Sequence, residues 1–422
     1  MLRSTSNNKI NPVKSIKSLI QAETKRQQQT LMMIPSENYT YPEVREAVGS
    51  VLMHKYAEGL PGARYYQGNA VIDQVELMAQ QSLLKAFGLK KDWQVNVQPH
   101  SGSEANLAAL NGTINPGDTI LSLYLPDGGH LSHGWRTEKA KVTLVGKIYD
   151  VHFYRVDPKT NLIDYQALEQ AAKRLRPKVI ISGGTSYPRE IDHQKIGRIA
   201  HQNNALYLAD VSHEAGLIAA KVNHSPFPHA NIVTMTTHKT FRGPRGAAIF
   251  AKGDLITNIN RGVFPGLQGG PHLNTTAGIA IAAQKTQSQA FKRYANQTVK
   301  NAQLLAKLLS QSGLKIVTKG TDKHLLLIDL SDAKHDGTSA ALLLERIGII
   351  TNKNVIPYER GSAFKPSGLR LGIPAITVRG FKEKDITILA EIITQALLEP
   401  KPNLAQLKKE VQNLCKTYPI SF

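Results

Sequence analysis

The chain has 422 residues, more than one hydrophobic core usually serves, so two globular units are expected on one polypeptide. Hydrophobic residues at 41%, with 32 Gly and 21 Pro dispersed along the chain, exclude disordered and fibrous classes; one cysteine, Cys415, excludes a disulfide framework and a cysteine metal cluster; and no apolar run approaches the roughly eighteen residues that span a bilayer. A formal charge of +20 favours anionic partners, but Lys and Arg are scattered, with KRLRPK at 173–178 the densest stretch and no aromatic interleaving, so a solvated basic surface is expected ahead of a nucleic-acid interface.

In chain order, the start MLRSTSNNKINPVKSIKSLI has no apolar signal core and no acidic residue before Glu23. A cytoplasmic location is expected, and an organellar presequence is the lesser reading, because residues 15–29 already read as a helix of the fold. Residues 1–60 form an N-terminal arm with helices. KYAEGLPGARYY then supplies Glu58, Tyr65 and Tyr66 around a Gly- and Pro-shaped turn: a carboxylate and two phenols suited to proton transfer, or otherwise a polar loop packed by its own tyrosines.

Between about 90 and 260 the runs WQVNV, DTILSLYL, KVTLVG, KVIISGG, ALYLAD and NIVTMTTH alternate with helical patterns, which predicts a mostly parallel sheet flanked by helices. Ligands bind outside the carboxyl ends of such strands, so the residues that end these runs carry the argument. In QPHSGSEAN, small Ser101, Gly102 and Ser103 precede a helix and can let backbone amides approach a phosphate, although such turns are common. DGGH ends in His130, which can stack on an aromatic ring. Asp210, ending ALYLAD, can pair with a protonated pyridine nitrogen, with His213 close by; alone it would read as a helix cap. Lys239 in THKT lies on a turn after a buried strand and can form an imine with an aldehyde cofactor; alone it would read as a solvated charge.

After RGVFPGLQGGP, a helical pattern from about Thr275 to Ser312 leads into a second unit with strands LKIVT and HLLLIDL, helix SAALLLERIG, polar turn NKNVIP, strand SGLRLG and a helical region from Glu383. The large unit is therefore placed at 61–286 and a smaller α+β unit at 287–422. Arg370 in SGLRLG can clamp a carboxylate, although an arginine in a strand is usually paired or exposed. No metal site is expected.

Read together, these motifs resemble the serine hydroxymethyltransferase family, a branch of the aspartate aminotransferase-like (fold type I) α/β enzymes that use pyridoxal phosphate. The resemblance runs from about Leu19 to the C-terminal helix and includes IPSENY, KYAEGLPGARYY, NVQPHSGSEAN, DGGHLSHG, ADVSHEAGLIAA, THKTFRGPRG, FPGLQGGP, GTDKHLLLIDL, NKNVIP and SGLRLGIPA. It implies that Lys239 carries the cofactor as a Schiff base, Asp210 holds the pyridinium, His130 stacks on the ring, and His213 and Thr185 lie beside it. Phosphate contacts would come from Ser101, Gly102, Ser103, Thr236 and His238, and from Tyr56 and Gly270 across a homodimer, or within a tetramer, with shared active sites. Ser36, Tyr65, Tyr66 and Arg370 would handle the amino acid, Glu58 the proton at the serine hydroxyl, and Leu125, Gly129, Leu131 and Asn354 tetrahydrofolate. The implied reaction converts serine and tetrahydrofolate to glycine and 5,10-methylenetetrahydrofolate. The chain departs from the family's usual residues at Ala63, Gln67, Ala70, Glu104, Thr185, Ser212, Glu214, Tyr358 and Pro366. A same-fold β-hydroxy amino acid aldolase or α-methylserine hydroxymethyltransferase stays open beside this reading, as does, further off, an RNA-binding or scaffold protein.

Overall fold

Runs apolar on both faces need cover on both faces, and the chain supplies it. In a computed structural model, which describes residues 15–359, 361–362 and 364–420, seven strands form one sheet. They are β1 (Trp93–Asn96), β2 (Thr119–Leu123), β3 (Asp150–Tyr154), β4 (Val179–Ser182), β5 (Leu206–Asp210), β6 (Ile232–Thr236) and β7 (Ala247–Lys252). Their order is β3-β2-β4-β5-β6-β7-β1; β2 to β6 and β3 run parallel, and β7 is antiparallel to both its neighbours. Consecutive residues point to opposite faces. Leu121, Ile180, Tyr207 and Val233 enter one core, while Ile120, Ile181, Leu208 and Ile232 enter the other.

Some expected elements fall differently. KVTLVG is not a strand: Leu144–Ile148 is a helical turn, where the Thr143 hydroxyl accepts from the Gly146 amide, and the following DVHFY pairs with β2 instead. The long helical pattern breaks into Leu273–Thr286 and Gln289–Gln311, the second capped by the Ser288 hydroxyl at the Phe291 amide, 3.1 Å. FRGPRG leads into β7, an antiparallel strand that the alternation of runs did not signal.

The C-terminal half has its own antiparallel sheet, ordered β8 (Lys315–Ile316), β9 (Leu325–Asp329), β11 (Gly368–Gly372), β10 (Asn352–Asn354). NKNVIP, expected as a turn, thus begins as an edge strand. Leu31 and Met33 belong to this second core, because Leu31–Met32 pairs in parallel with Ile349–Ile350. The helix Ile16–Gln29 is capped by Ser15, and the Arg379 guanidinium donates to the carbonyls of Gln28 and Thr30 at its end. Residues 1–14 of the basic, acid-free start lie outside the described residues. No described helix is long and apolar enough to cross a membrane.

Candidate active site

The carboxyl ends of β2, β4, β5 and β6 open on one side of the sheet. Lys239 sits three residues past β6 on a turn closed by Gly243 N–H to Thr237 O at 2.7 Å, with its own carbonyl accepting from the Asn38 amide at 3.0 Å. Thr240 ties that turn to the loop after β5 by donating to the His213 carbonyl at 2.9 Å. The Lys239 side chain is buried, and among the described residues no carboxylate forms an ion pair with it. Burial lowers its pKa to about 8, against the pull of Asp210 and with a push from Arg370 and Arg245.

Asp210, at the end of β5, is also buried. Its Oδ2 accepts from Asn106 Nδ2 at 2.8 Å and faces His133 Nε2 at 3.0 Å, and its Oδ1 accepts from the Ser212 amide at 3.0 Å. Burial works to raise its pKa, but His133 and these hydrogen bonds outweigh it and hold the carboxylate well below the usual range. Asn106 and His133 went unassigned at the sequence level, although both lie inside quoted motifs. His130, His133 and Asp210 each place a donor atom within 4.8 Å of the others. The existing His133–Asp210 bond suits a carboxylate prepared for a cationic ring nitrogen.

Gly102 opens the helix Gly102–Asn111 against the end of β6: a Cβ there would stand 2.4 Å from Thr236 Cγ2. Glycine therefore lets the Ser101–Ser103 turn approach the segment that leads to His238 and Lys239. His238 Nδ1 is buried with no hydrogen-bond partner, and burial lowers that ring's pKa to about 3. His130 is mostly buried and kept neutral in the same way, its pKa lowered to about 4, with Nδ1 2.7 Å from Ser132 Oγ. A cradle closed to a Cβ, an orphaned imidazole nitrogen, a buried amine and an ionised buried carboxylate together fit an aromatic aldehyde phosphate.

Arg370 on β11 reaches across from the second core. Its Nη1 donates to Thr185 O at 2.6 Å and Thr185 Oγ1 at 2.8 Å, and its Nε to Asn352 Oδ1 at 3.1 Å. It is buried with no carboxylate partner among the described residues, and burial lowers its pKa to about 10. A guanidinium kept buried without an acid is suited to receive one. Ser36 lies beside this strand end: Gly372 packs on Pro35 so closely that a Cβ would stand 2.4 Å from its Cα.

The two cores are zipped beside the site. His213 Nδ1 lies 3.2 Å from His324 Nε2, and the adjacent Glu214 accepts from Lys323 Nζ at 2.6 Å; all four side chains are buried. The carboxylate that departs from family habit is thus neutralised by an equally buried ammonium. Thr185 keeps the hydroxyl that Arg370 needs, and Glu104 turns back to accept from the His100 amide at 3.2 Å.

Tyr56, Glu58, Tyr65 and Tyr66 assemble elsewhere. Tyr56 donates to Glu58 Oε1 at 3.1 Å and meets the Tyr66 ring edge-on at 5.2 Å, while Gly270 lies beneath the Tyr56 ring. All three tyrosines are exposed, and among the described residues no hydrogen bond, ion pair or ring contact joins this cluster to Lys239, Asp210 or Arg370. It hangs beside the Ser101–Ser103 turn through His100 Nε2 and Gly270 O at 3.4 Å. Leu125 and Gly129 belong to the turn after β2, Leu131 is exposed just beyond it, and Asn354 ends β10.

Residues 11–393 match the family model described as serine hydroxymethyltransferase. The chain is 44% identical over 404 residues to a serine hydroxymethyltransferase of Desulfotalea psychrophila, covering 95% of this chain and 93% of that protein. It is 43% identical over 406 residues to one of onion yellows phytoplasma, covering 95% and 96%.

Proposed function

The chain belongs to the serine hydroxymethyltransferase family, and on that premise we propose which of its residues interconvert serine and tetrahydrofolate with glycine and 5,10-methylenetetrahydrofolate. Pyridoxal phosphate, bound at Lys239, supplies an electron sink for the charge left at the α-carbon. Lys239 would hold it through an amine whose pKa burial lowers to about 8, so that a substantial neutral, nucleophilic fraction is present near that pH. Asp210, kept ionised by His133, Asn106 and the Ser212 amide, holds a proton at the ring nitrogen. His130 lies against the ring, His213 and Thr185 flank it, and Ser101, Gly102, Ser103, Thr236 and His238 take the phosphate. Arg370 binds the amino-acid carboxylate, with Ser36 beside it, and so fixes which α-carbon bond is oriented to break.

The hydroxyl proton of serine is taken and returned by Glu58, with Tyr65 and Tyr66 near it. That cluster and Tyr56 and Gly270 complete the site of a second copy of the chain in a homodimer. The reading is supported by the exposure of Tyr56, Tyr65 and Tyr66 and by the absence, among the described residues, of any hydrogen bond, ion pair or ring contact from this cluster to Lys239. Leu125, Gly129, Leu131 and Asn354 receive tetrahydrofolate. A reducing, cytoplasmic setting is supported by the single, unpaired Cys415.

One observation carries the assignment: the buried Lys239 amine feels both the buried, strongly ionised Asp210 and the buried Arg370 guanidinium, and among the described residues neither cation forms an ion pair with a carboxylate. The test is serine-to-glycine conversion with and without tetrahydrofolate. Wild type should depend on tetrahydrofolate, and Arg370→Ala should raise KM for serine about a hundredfold, the scale of losing a buried charged contact. Turnover independent of tetrahydrofolate would move the chain to the aldolase reading.

A further inference from the structure

Arg155, just after β3, is held by several groups at once. Its Nε and Nη2 donate to the two oxygens of Asp127 at 2.6 and 3.0 Å, and the same buried carboxylate accepts from the Val156 amide at 3.1 Å. The rings of Tyr124 and Tyr358 both lie against the guanidinium, 4.4 Å from it to each centroid. Tyr358 also donates its hydroxyl to the Val156 carbonyl at 2.5 Å. Its φ of +57° is disfavoured for an L side chain, so surrounding contacts must hold it there.

These contacts join the turn after β2 to the loop after β10. Tyr124 and Asp127 bracket Leu125 and precede Gly129, while Tyr358 follows Asn354 on the loop after β10. We propose that Tyr358 is a positioning residue for tetrahydrofolate: by pinning its loop to Arg155 and Val156, it fixes the spacing between Asn354 and the Leu125–Gly129 turn before the second substrate arrives. This rests on the assignment of those residues to tetrahydrofolate. Arg370 is held by Thr185 and Asn352, and among the described residues Tyr358 makes no hydrogen bond or ring contact with either. The amino-acid side of the site should therefore be indifferent to the clamp.

The test uses the holoenzyme with Tyr358→Phe, which removes only the hydrogen bond, and Tyr358→Ala, which removes the ring as well. Tetrahydrofolate affinity, read by calorimetry with glycine present, should weaken about two- to tenfold for the first and about five- to fiftyfold for the second, the range of one hydrogen bond and of that bond plus a half-exposed cation–π contact. Glycine affinity without tetrahydrofolate and KM for serine should stay within about twofold. The isosteric Phe variant decides the matter if the Ala variant does not fold. Unchanged tetrahydrofolate affinity, or equal loss for both substrates, would overturn the proposal. Absence of tetrahydrofolate binding by wild type would instead overturn the assignment of Asn354 and the Leu125–Gly129 turn.

Discussion

Glu214 illustrates how a residue alarming in sequence becomes intelligible through its partner. A carboxylate buried beside a cofactor site would be costly alone; Lys323, equally buried, compensates it at 2.6 Å. Burial still pushes the Glu214 pKa up against that partner's pull. Buried pairs of this kind stabilise little relative to apolar replacements, but breaking one strands a charge. Glu214→Ile or Lys323→Met alone should each destabilise by about 3–5 kcal/mol, whereas the double variant should return close to wild type or exceed it. Thermal unfolding of the four proteins checks this, and additive losses in the double variant would contradict it. No sequence pattern announced the partnership, since the two residues are separated by more than a hundred positions and meet only through tertiary packing. The same holds for His213 with His324, and Asp210 and His133, 77 positions apart, likewise meet only through tertiary packing.

At the scale of elements, the carboxyl ends of β5 and β6 deliver Asp210 and Lys239, while β11 brings Arg370 from the other core. Asp210 and Lys239 stood out because parallel strands buried on both faces read as apolar runs, and ligands bind where each run turns polar; Arg370, in the middle of an antiparallel strand, carried no such signal. Other elements were not legible. KVTLVG has strand-like composition yet yields the strand to DVHFY, whose residues register with Thr119–Leu123. Asn352–Asn354 is polar throughout and is a strand only because β11 offers an edge. The Tyr56–Glu58–Tyr66 cluster belongs to the site by sequence resemblance but stands apart from Lys239 in its own chain. If a second copy completes each site, mixing inactive Lys239→Ala and Glu58→Ala proteins under subunit exchange should restore about a quarter of wild-type activity, because half the dimers are mixed and one of their two sites is intact. Activity that stays absent in verified mixed dimers would place both residues in one chain's site.

Across the whole molecule, two cores meet along a seam of paired residues, with Arg370–Thr185, Glu214–Lys323, His213–His324 and Arg189–Asp322 all spanning it. The chemistry proposed requires that seam, because the amine and the carboxylate clamp lie on opposite sides of it. Length led to an expectation of two units; the N-terminal segment joins the core of the C-terminal sheet through Leu31 and Met33, a contribution no local pattern marks. The most direct test adds pyridoxal phosphate to cofactor-free wild type and Lys239→Ala across pH 6 to 10 and follows visible absorbance, then adds glycine and tetrahydrofolate. Because burial brings the Lys239 pKa down from 10.5 to about 8, the neutral, nucleophilic amine accumulates as pH rises and is nearly complete above that value. The account predicts a visible band that requires Lys239, forms faster as pH rises towards about 8 and levels off beyond it, and changes again when tetrahydrofolate joins glycine. An identical band in Lys239→Ala, or no band in wild type, would contradict it.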